Sequence, residues 1–205
     1  MTAAEAAPVH TIGAETAFYG APVEHVFEDR RLFIDIYMRP YTSHYADTIW
    51  VAAADGVVGG YLIGCPDTAA YHPLFRRALL RASGRMLLLR YRLGRRTLRA
   101  MRGFVSEMLA PDPPLDLATY PAHLHINLLP AHRGQGIGRR LMMIYLDHCR
   151  AAGLPGVHLS TSSCNEVAVH LYEHLGFEVL SRRHSRYHST VCGQPVDALL
   201  MGLRF

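Results

Sequence analysis

The chain has 205 residues, half of them apolar, with 21 basic side chains against 17 acidic ones and a formal charge of +4. That length and apolar share suit one domain with a substantial core and exclude an intrinsically disordered protein. No apolar run reaches the ~18 residues of a membrane span, and Met1 to Pro8 carries Glu5 and no basic start, so a soluble cytoplasmic chain without a secretory signal is expected. Every basic residue is Arg and none is Lys. Cys65, Cys149, Cys164 and Cys192 show no C-x-x-C pairing, which predicts free thiols, with Cys164 read as a small filler at a strand end in preference to a nucleophile.

In chain order, residues 1–17 read as a loose leader, and 23–38 contain the first predicted helix. Residues 48–54 and 57–65 alternate as strands around the turn signal Asp55-Gly56, and Pro66 ends the hairpin. About fifty-five residues then precede the next strand, and a connection that long should carry its own structure. Within it, Leu87, Tyr91, Leu98, Met101, Val105 and Met108 keep a helical spacing broken only at Gly94, so 86–109 reads as one amphipathic helix, stopped by Pro111-Asp112-Pro113-Pro114. Residues 71–110 hold ten Arg and only Glu107, whereas the remainder holds eleven Arg and sixteen acids. A basic insert at about 71–117 is therefore expected. It reads as a solvated helix face, a lid on a substrate site, a homodimer interface or a surface for acidic partners. Interleaved aromatics are few, so no nucleic-acid partner is expected.

Strand 122–129 follows, then helix 135–152, strand 157–161, helix 165–175, and strands 177–187 and 196–205 joined at Gly193-Gln194-Pro195. The junction between the first two carries Arg133-Gly134-Gln135-Gly136-Ile137-Gly138. Three glycines in five positions at a strand-to-helix junction clear the first helical turn of side chains, so backbone N–H groups can converge on an anion. The spacing is neither the Gly-x-Gly-x-x-Gly of a dinucleotide fold nor a P-loop, which would continue Gly-Lys-Ser/Thr.

Arg133-x-x-Gly136-x-Gly138, followed by Asn165, Ala168, Leu171-Tyr172 and Gly176-Phe177, resembles the paired motifs of the GNAT superfamily of acyl-CoA-dependent N-acetyltransferases. Leu32 to Tyr41, Val57 to Thr68 and His123 to Pro130 further resemble the acetyltransferase-like domain of O-GlcNAc hydrolases and its free-standing bacterial relatives. The resemblance implies an α+β fold in αβα layers, a single domain over 1–205. Its mixed central sheet has splayed parallel strands, here 122–129 and 157–161, with the helical insert between the family's strands 3 and 4. It implies acetyl-CoA as cosubstrate, held by Arg133, Gly134, Gly136, Ile137, Gly138 and Arg139 at the pyrophosphate and by the Leu128 backbone at the pantetheine. Asn165 would bond the cofactor amide, cap the following helix, or both.

Acyl transfer expels a thiolate, which a phenol can protonate; Tyr172 is the expected general acid, the other reading being a Tyr packed between helix and sheet. An amine acceptor must lose a proton. His123, His125 and Asn127 share one face of their strand, with Leu124, Ile126 and Leu128 on the other, and His125, then His123, is the expected base. No Asp or Glu lies on that strand. A competing pattern, His170-Leu171-Tyr172-Glu173-His174, fits the H-x-x-E-H of inverted zinc peptidases. Only Glu178 and Asp197 follow as a third ligand, so no metal is expected. His184 and His188 read as one face of a strand. The expected activity is direct acetyl transfer to a primary amine of a small molecule or peptide; the alternative is a non-catalytic acyl-CoA-binding sensor or interaction module.

Overall fold

The computed structural model describes residues 1–109 and 115–205. Pro111-Asp112-Pro113-Pro114 and the helix stop assigned to them lie outside the described residues. Among the described residues, six strands form one sheet: β1 (Ile49–Ala54), β2 (Val57–Cys65), β3 (Ala122–Leu128), β4 (Gly156–Ser162), β5 (Glu178–His184) and β6 (Asp197–Arg204), in the order β1-β2-β3-β4-β6-β5. The β3–β4 pair is parallel and the other four are antiparallel. Helices cover both faces. On one, α6 (Ile137–Ala151) and α7 (Glu166–His174) bury Leu141, Met142, Tyr145 and Tyr172 against Leu62, Leu124, Leu159 and Met201. On the other, Val9, Met38, Tyr41 and Tyr71 pack against Tyr61, Ile63 and Cys65. Each fully buried aliphatic side chain in these layers contributes about 2 kcal/mol of transfer free energy.

Residues 1–17 are not a loose leader. Ala6–Thr16 is a helix, α1, that buries Val9, Ile12 and Thr16. A Cβ on Gly13 would stand 2.6 Å from Met38 Cε, so the glycine lets α1 lie close against its neighbour. The apolar stripe is short and Ala-rich, which left it weak in the sequence. The predicted helix at 23–38 starts late: Val23–His25 is a single 3₁₀ turn. Then α2 (Arg30–Phe33), a π-helical stretch (Ile34–Met38) and α3 (Arg39–His44) run on as one rod. A π turn holds an extra residue and rotates everything after it, a feature common at functional positions.

The insert joins β2 to β3, the second and third strands here, because the residues ahead of Ile49 are helical rather than a first strand. It holds two helices, α4 (Thr68–Leu87) and α5 (Arg95–Leu109), not one from 86 to 109. Leu89 takes a left-handed φ of 53°, and Leu87 and Leu98, on the predicted apolar stripe, are exposed while Tyr91 is buried. The start of α5 is set from a distance. The Glu28 carboxylate accepts from Gly94 N at 3.1 Å, Arg96 N at 3.0 Å and Thr97 N at 3.0 Å, and also from the Thr97 hydroxyl. A cap 68 residues upstream is invisible to local reading.

Burial pushes the Glu28 pKa up, but these hydrogen bonds outweigh it and hold it at about 2. A carboxyl depressed in the folded state stabilises in full above its unfolded pKa of about 4.3 and loses that contribution as pH falls toward its folded value. Glu28→Ala is expected to cost about 2 kcal/mol in urea unfolding at pH 7. The gap from the parent should narrow below about pH 4. A gap that stays constant down to acid pH would show that the carboxylate charge is not what caps α5.

Residues 177–187 are not all strand either: β5 ends at His184, and Arg186–Cys192 forms α8, capped by the Ser185 hydroxyl accepting from His188 N at 3.0 Å. His188 is thus helical and does not share a strand face with His184. Cys192 at the end of α8 forms a disulfide with Cys164, their Cα atoms 6.9 Å apart. The free thiol and filler role expected for Cys164 are overturned; Cys65 and Cys149 are free and buried. The pair is 28 residues apart and meets only because α8, itself unpredicted, returns its end to the β4–α7 connection. No described helix is long and apolar enough to cross a membrane.

Candidate functional site

The glycine junction builds a row of open donors. Gly134 and Gly136 take φ of 70° and 74°, left-handed conformations that side-chain-bearing residues adopt only with strain, and Gly136 is the N-cap of α6. From Gly134 to Arg139, six successive backbone N–H groups have no acceptor among the described residues; the first intrahelical bond is Arg140 N to Gly136 O. Such a run at a positive helix end attracts a polyanion. Arg139 and Arg140 are exposed beside it. Arg133 is used differently: its Nε donates to Leu128 O at 3.0 Å and its guanidinium lies over Gly20, where a Cβ would stand 2.7 Å away. The carbonyl of Leu128 is thereby engaged by the protein itself.

A Cβ on Gly138 would lie 3.5 Å from Leu128 Cδ1 and 3.6 Å from Leu171 Cδ2, so the end of β3, the start of α6 and the middle of α7 converge. Between β3 and β4 the ladder has only two rungs, Ala122 with Val157 and His123 with His158. Beyond them the strands part, and the facing N–H and C=O groups of 124–128 and 159–162 form no pair with each other. Unpaired strand backbone at such a depth needs a partner, and an extended amide-bearing arm supplies one. The open donors and the parted strands together fit the pyrophosphate and pantetheine of a CoA ester.

Tyr172, beside Leu171 on α7, is 6 % exposed and packs on Phe177 with ring centroids 5.9 Å apart. Its phenol has no hydrogen-bond partner among the described residues, and burial pushes its pKa up to about 12, so it holds its proton at neutral pH. Asn165 occupies the N-cap position of α7 but makes no capping bond; its Nδ2 reaches Thr161 Oγ1 at 3.4 Å.

The alternation predicted for β3 is present. Leu124 enters the α6 side of the core. Asn127 Nδ2 donates to Thr16 Oγ1 at 2.8 Å on the opposite face, and there Tyr41 Oη sits between His123 Nε2 at 2.8 Å and His125 Nε2 at 2.9 Å. His123 is buried, and its Nδ1 meets Thr68 Oγ1 at 2.7 Å. His125 is exposed, although the protein atoms crowded around its ring desolvate it. Burial, then the like charge of His158, lowers the His125 pKa to about 4; burial foremost, then His125, His158 and His72, holds His123 well below the usual imidazole value. Both rings are neutral at pH 7. Tyr41, Thr68, Tyr71 and His158, which complete this cluster, were not singled out in the sequence. They come from three separate elements, α3, α4 and β4, and no spacing joins them.

Of the zinc-like pattern, His174 Nδ1 donates to the His170 carbonyl at 2.8 Å, and no group of three His, Cys, Asp or Glu side chains placed to hold a metal occurs among the described residues.

The sheet with its parted parallel strands and the glycine-made donor row define an acyl-CoA-binding architecture. The chain matches the acetyltransferase (GNAT) family over residues 14–177 and belongs to that family. Over its whole length it is similar to the crystal structure of SsHAT, with a TM-score of 0.73, 28% identity and 95% of that chain covered. It shares the fold of yncA from Salmonella typhimurium, solved with its cofactor acetyl-CoA, at a TM-score of 0.59 and 18% identity, covering 100% of this chain and 90% of that one. A stretch of 48 residues is 54% identical to the mycothiol acetyltransferase of Nocardiopsis dassonvillei, covering 23% of this chain but only 14% of that protein.

Proposed function

We propose that this protein transfers the acetyl group of acetyl-CoA directly to a primary amine of a small molecule or peptide. The observation that carries the reading is the run of six unpaired N–H groups from Gly134 to Arg139 beside the parted strands. In this reading Gly134, Gly136, Ile137, Gly138 and Arg139 hold the pyrophosphate, Arg133 braces the end of β3 at Leu128, and Asn165 bonds the donor's amide. Tyr172 and His125 work from opposite faces of the sheet, which the parting of β3 and β4 connects. His125 takes the proton of the attacking amine, with His123 behind it. Tyr172 gives its proton to the sulfur as the new N–C bond forms and the C–S bond breaks. Solvent returns the proton from imidazolium to phenolate, and the acceptor leaves acetylated. The family match and relatives named acetyltransferases support this chemistry. A nearer kinship with the acetyltransferase-like domains of O-GlcNAc hydrolases belongs to the same proposal for the fold alone, and it favours the non-catalytic acyl-CoA-binding alternative rather than turnover.

The proposal also takes 1–205 as a single domain in which the insert bounds the acceptor side, a reading supported by Thr68 and Tyr71 of α4, which pack directly on His123. The test is a screen of amines and peptides with acetyl-CoA, following free thiol. Acceptor-dependent thiol release is expected. Tight acetyl-CoA binding without turnover on any amine would instead assign a sensor or interaction module.

A further inference from the structure

The chain of contacts behind His125 has a direction. Thr68 Oγ1 lies 2.7 Å from the carbonyl of Pro121 and 2.7 Å from His123 Nδ1, and the hydroxyl has one hydrogen to give. A carbonyl oxygen offers only lone pairs, so the Thr68 hydrogen must point at Pro121; the reverse leaves two acceptors facing each other at hydrogen-bond distance. His123 must then carry its proton on Nδ1 and donate to Thr68. As a neutral ring it presents a lone pair at Nε2, which accepts from the Tyr41 hydroxyl. The Tyr41 oxygen in turn accepts from His125 Nε2–H. His125, neutral as well, is left with its lone pair on Nδ1, which has no partner among the described residues and belongs to an exposed side chain.

We infer that Thr68 and Tyr41 are positioning residues that fix the tautomers of His123 and His125, so that His125 presents an open Nδ1 lone pair to the acceptor amine. The inference rests on His125 as the base in the proposed acetyl transfer. It makes His123 a link rather than a base, since both its nitrogens are engaged. The other titratable groups around the chain are His72 of α4, His158 of β4, Tyr45, Tyr71, Cys65 and Asp67. Tyr71 stacks on Tyr41 with ring centroids 4.3 Å apart and holds the phenol in place. The π-helical stretch at Ile34–Met38 sets the rotation of the rod from which Tyr41 reaches β3.

The decisive variant is Thr68→Val, which keeps the shape of the side chain and removes the anchor. With no acceptor for Nδ1–H, His123 gains by moving its proton to Nε2, because a buried unmet donor costs more than an unmet lone pair on the ring. Tyr41 then donates the other way, and His125 is driven to the Nδ1–H form with no open lone pair on its exposed side. Ring ¹⁵N NMR of the full chain should show Nδ1–H on His123 and Nε2–H on His125 in the parent and in Thr68→Ser. Both should switch in Thr68→Val, with turnover down about tenfold or more, acetyl-CoA affinity unchanged and the rate restored in Thr68→Ser. Parent tautomers opposite to these, or unswitched in Thr68→Val, overturn the chain. A switch that leaves turnover at the parental rate overturns His125 as the base while the donor-binding reading stands.

Discussion

Tyr172→Phe is expected to slow acetyl transfer about a hundredfold, equivalent to roughly 3 kcal/mol in the transition state, with acetyl-CoA affinity nearly intact. The substitution removes one hydroxyl and little volume from a ring packed on Phe177. That hydroxyl has no partner among the described residues, so the folded chain loses no hydrogen bond, and a thermal midpoint equal to or above the parent's is expected. A catalytic and a merely packed tyrosine therefore give opposite patterns: slow and stable for the acid, unaffected in rate for the filler. The measurement pairs steady-state thiol release with calorimetric affinity, using an acceptor found in the amine screen. Turnover at the parental rate would remove Tyr172 as the acid and hand the role to water or another group.

Gly138→Asp carries the other large effect, and it separates binding from folding. The position is helical and its added Cβ would meet only ordinary contacts at Leu128 and Leu171, so the backbone accepts a side chain. A carboxylate in the first turn of α6 interacts favourably with the helix dipole, and stability should hold or rise slightly. The same carboxylate places like charge among the amides that would receive the pyrophosphate and competes for them. Acetyl-CoA affinity is expected to fall about a hundredfold or more, corresponding to roughly 3 kcal/mol. Calorimetry of a folded variant that binds as tightly as the parent would take the pyrophosphate away from this turn.

The donor row was legible in the sequence because its cause is local. Glycines at 134, 136 and 138 after an apolar strand specify positive φ and a bare helix start with no reference to the rest of the chain. The alternation of β3 was equally plain, and it assigned His123 and His125 to one face. What lies behind those histidines was not, since Tyr41 arrives from a rod re-aimed by a π turn and Thr68 is the first residue of α4. The three segments Leu32 to Tyr41, Val57 to Thr68 and His123 to Pro130 are each notable singly, yet nothing in their spacing says that their ends meet at one imidazole, that of His123. The break at Gly94 was visible as a single weak residue. It became a helix start only through Glu28, a tertiary contact. The disulfide is hidden for the same reason: the expected strand 177–187 overlaps only the first residues of α8, and the rest of that helix has no local signal.

The two-rung junction between β3 and β4 makes this sheet two three-stranded halves, β1-β2-β3 and β4-β6-β5, stitched at one end. Seven rungs tie β4 to β6 and six tie β2 to β3, so backbone pairing is dense within each half and sparse across the seam, where the core under α6 holds the halves together. A molecule bound along the seam adds the missing rungs and acts as a seventh strand. The free energy of binding is then also cohesion between the halves, of about 2.7 kcal/mol when the ligand stands at a hundred times its dissociation constant. Where acyl donor runs short, the sparsest backbone pairing in the sheet is left running through the proposed site.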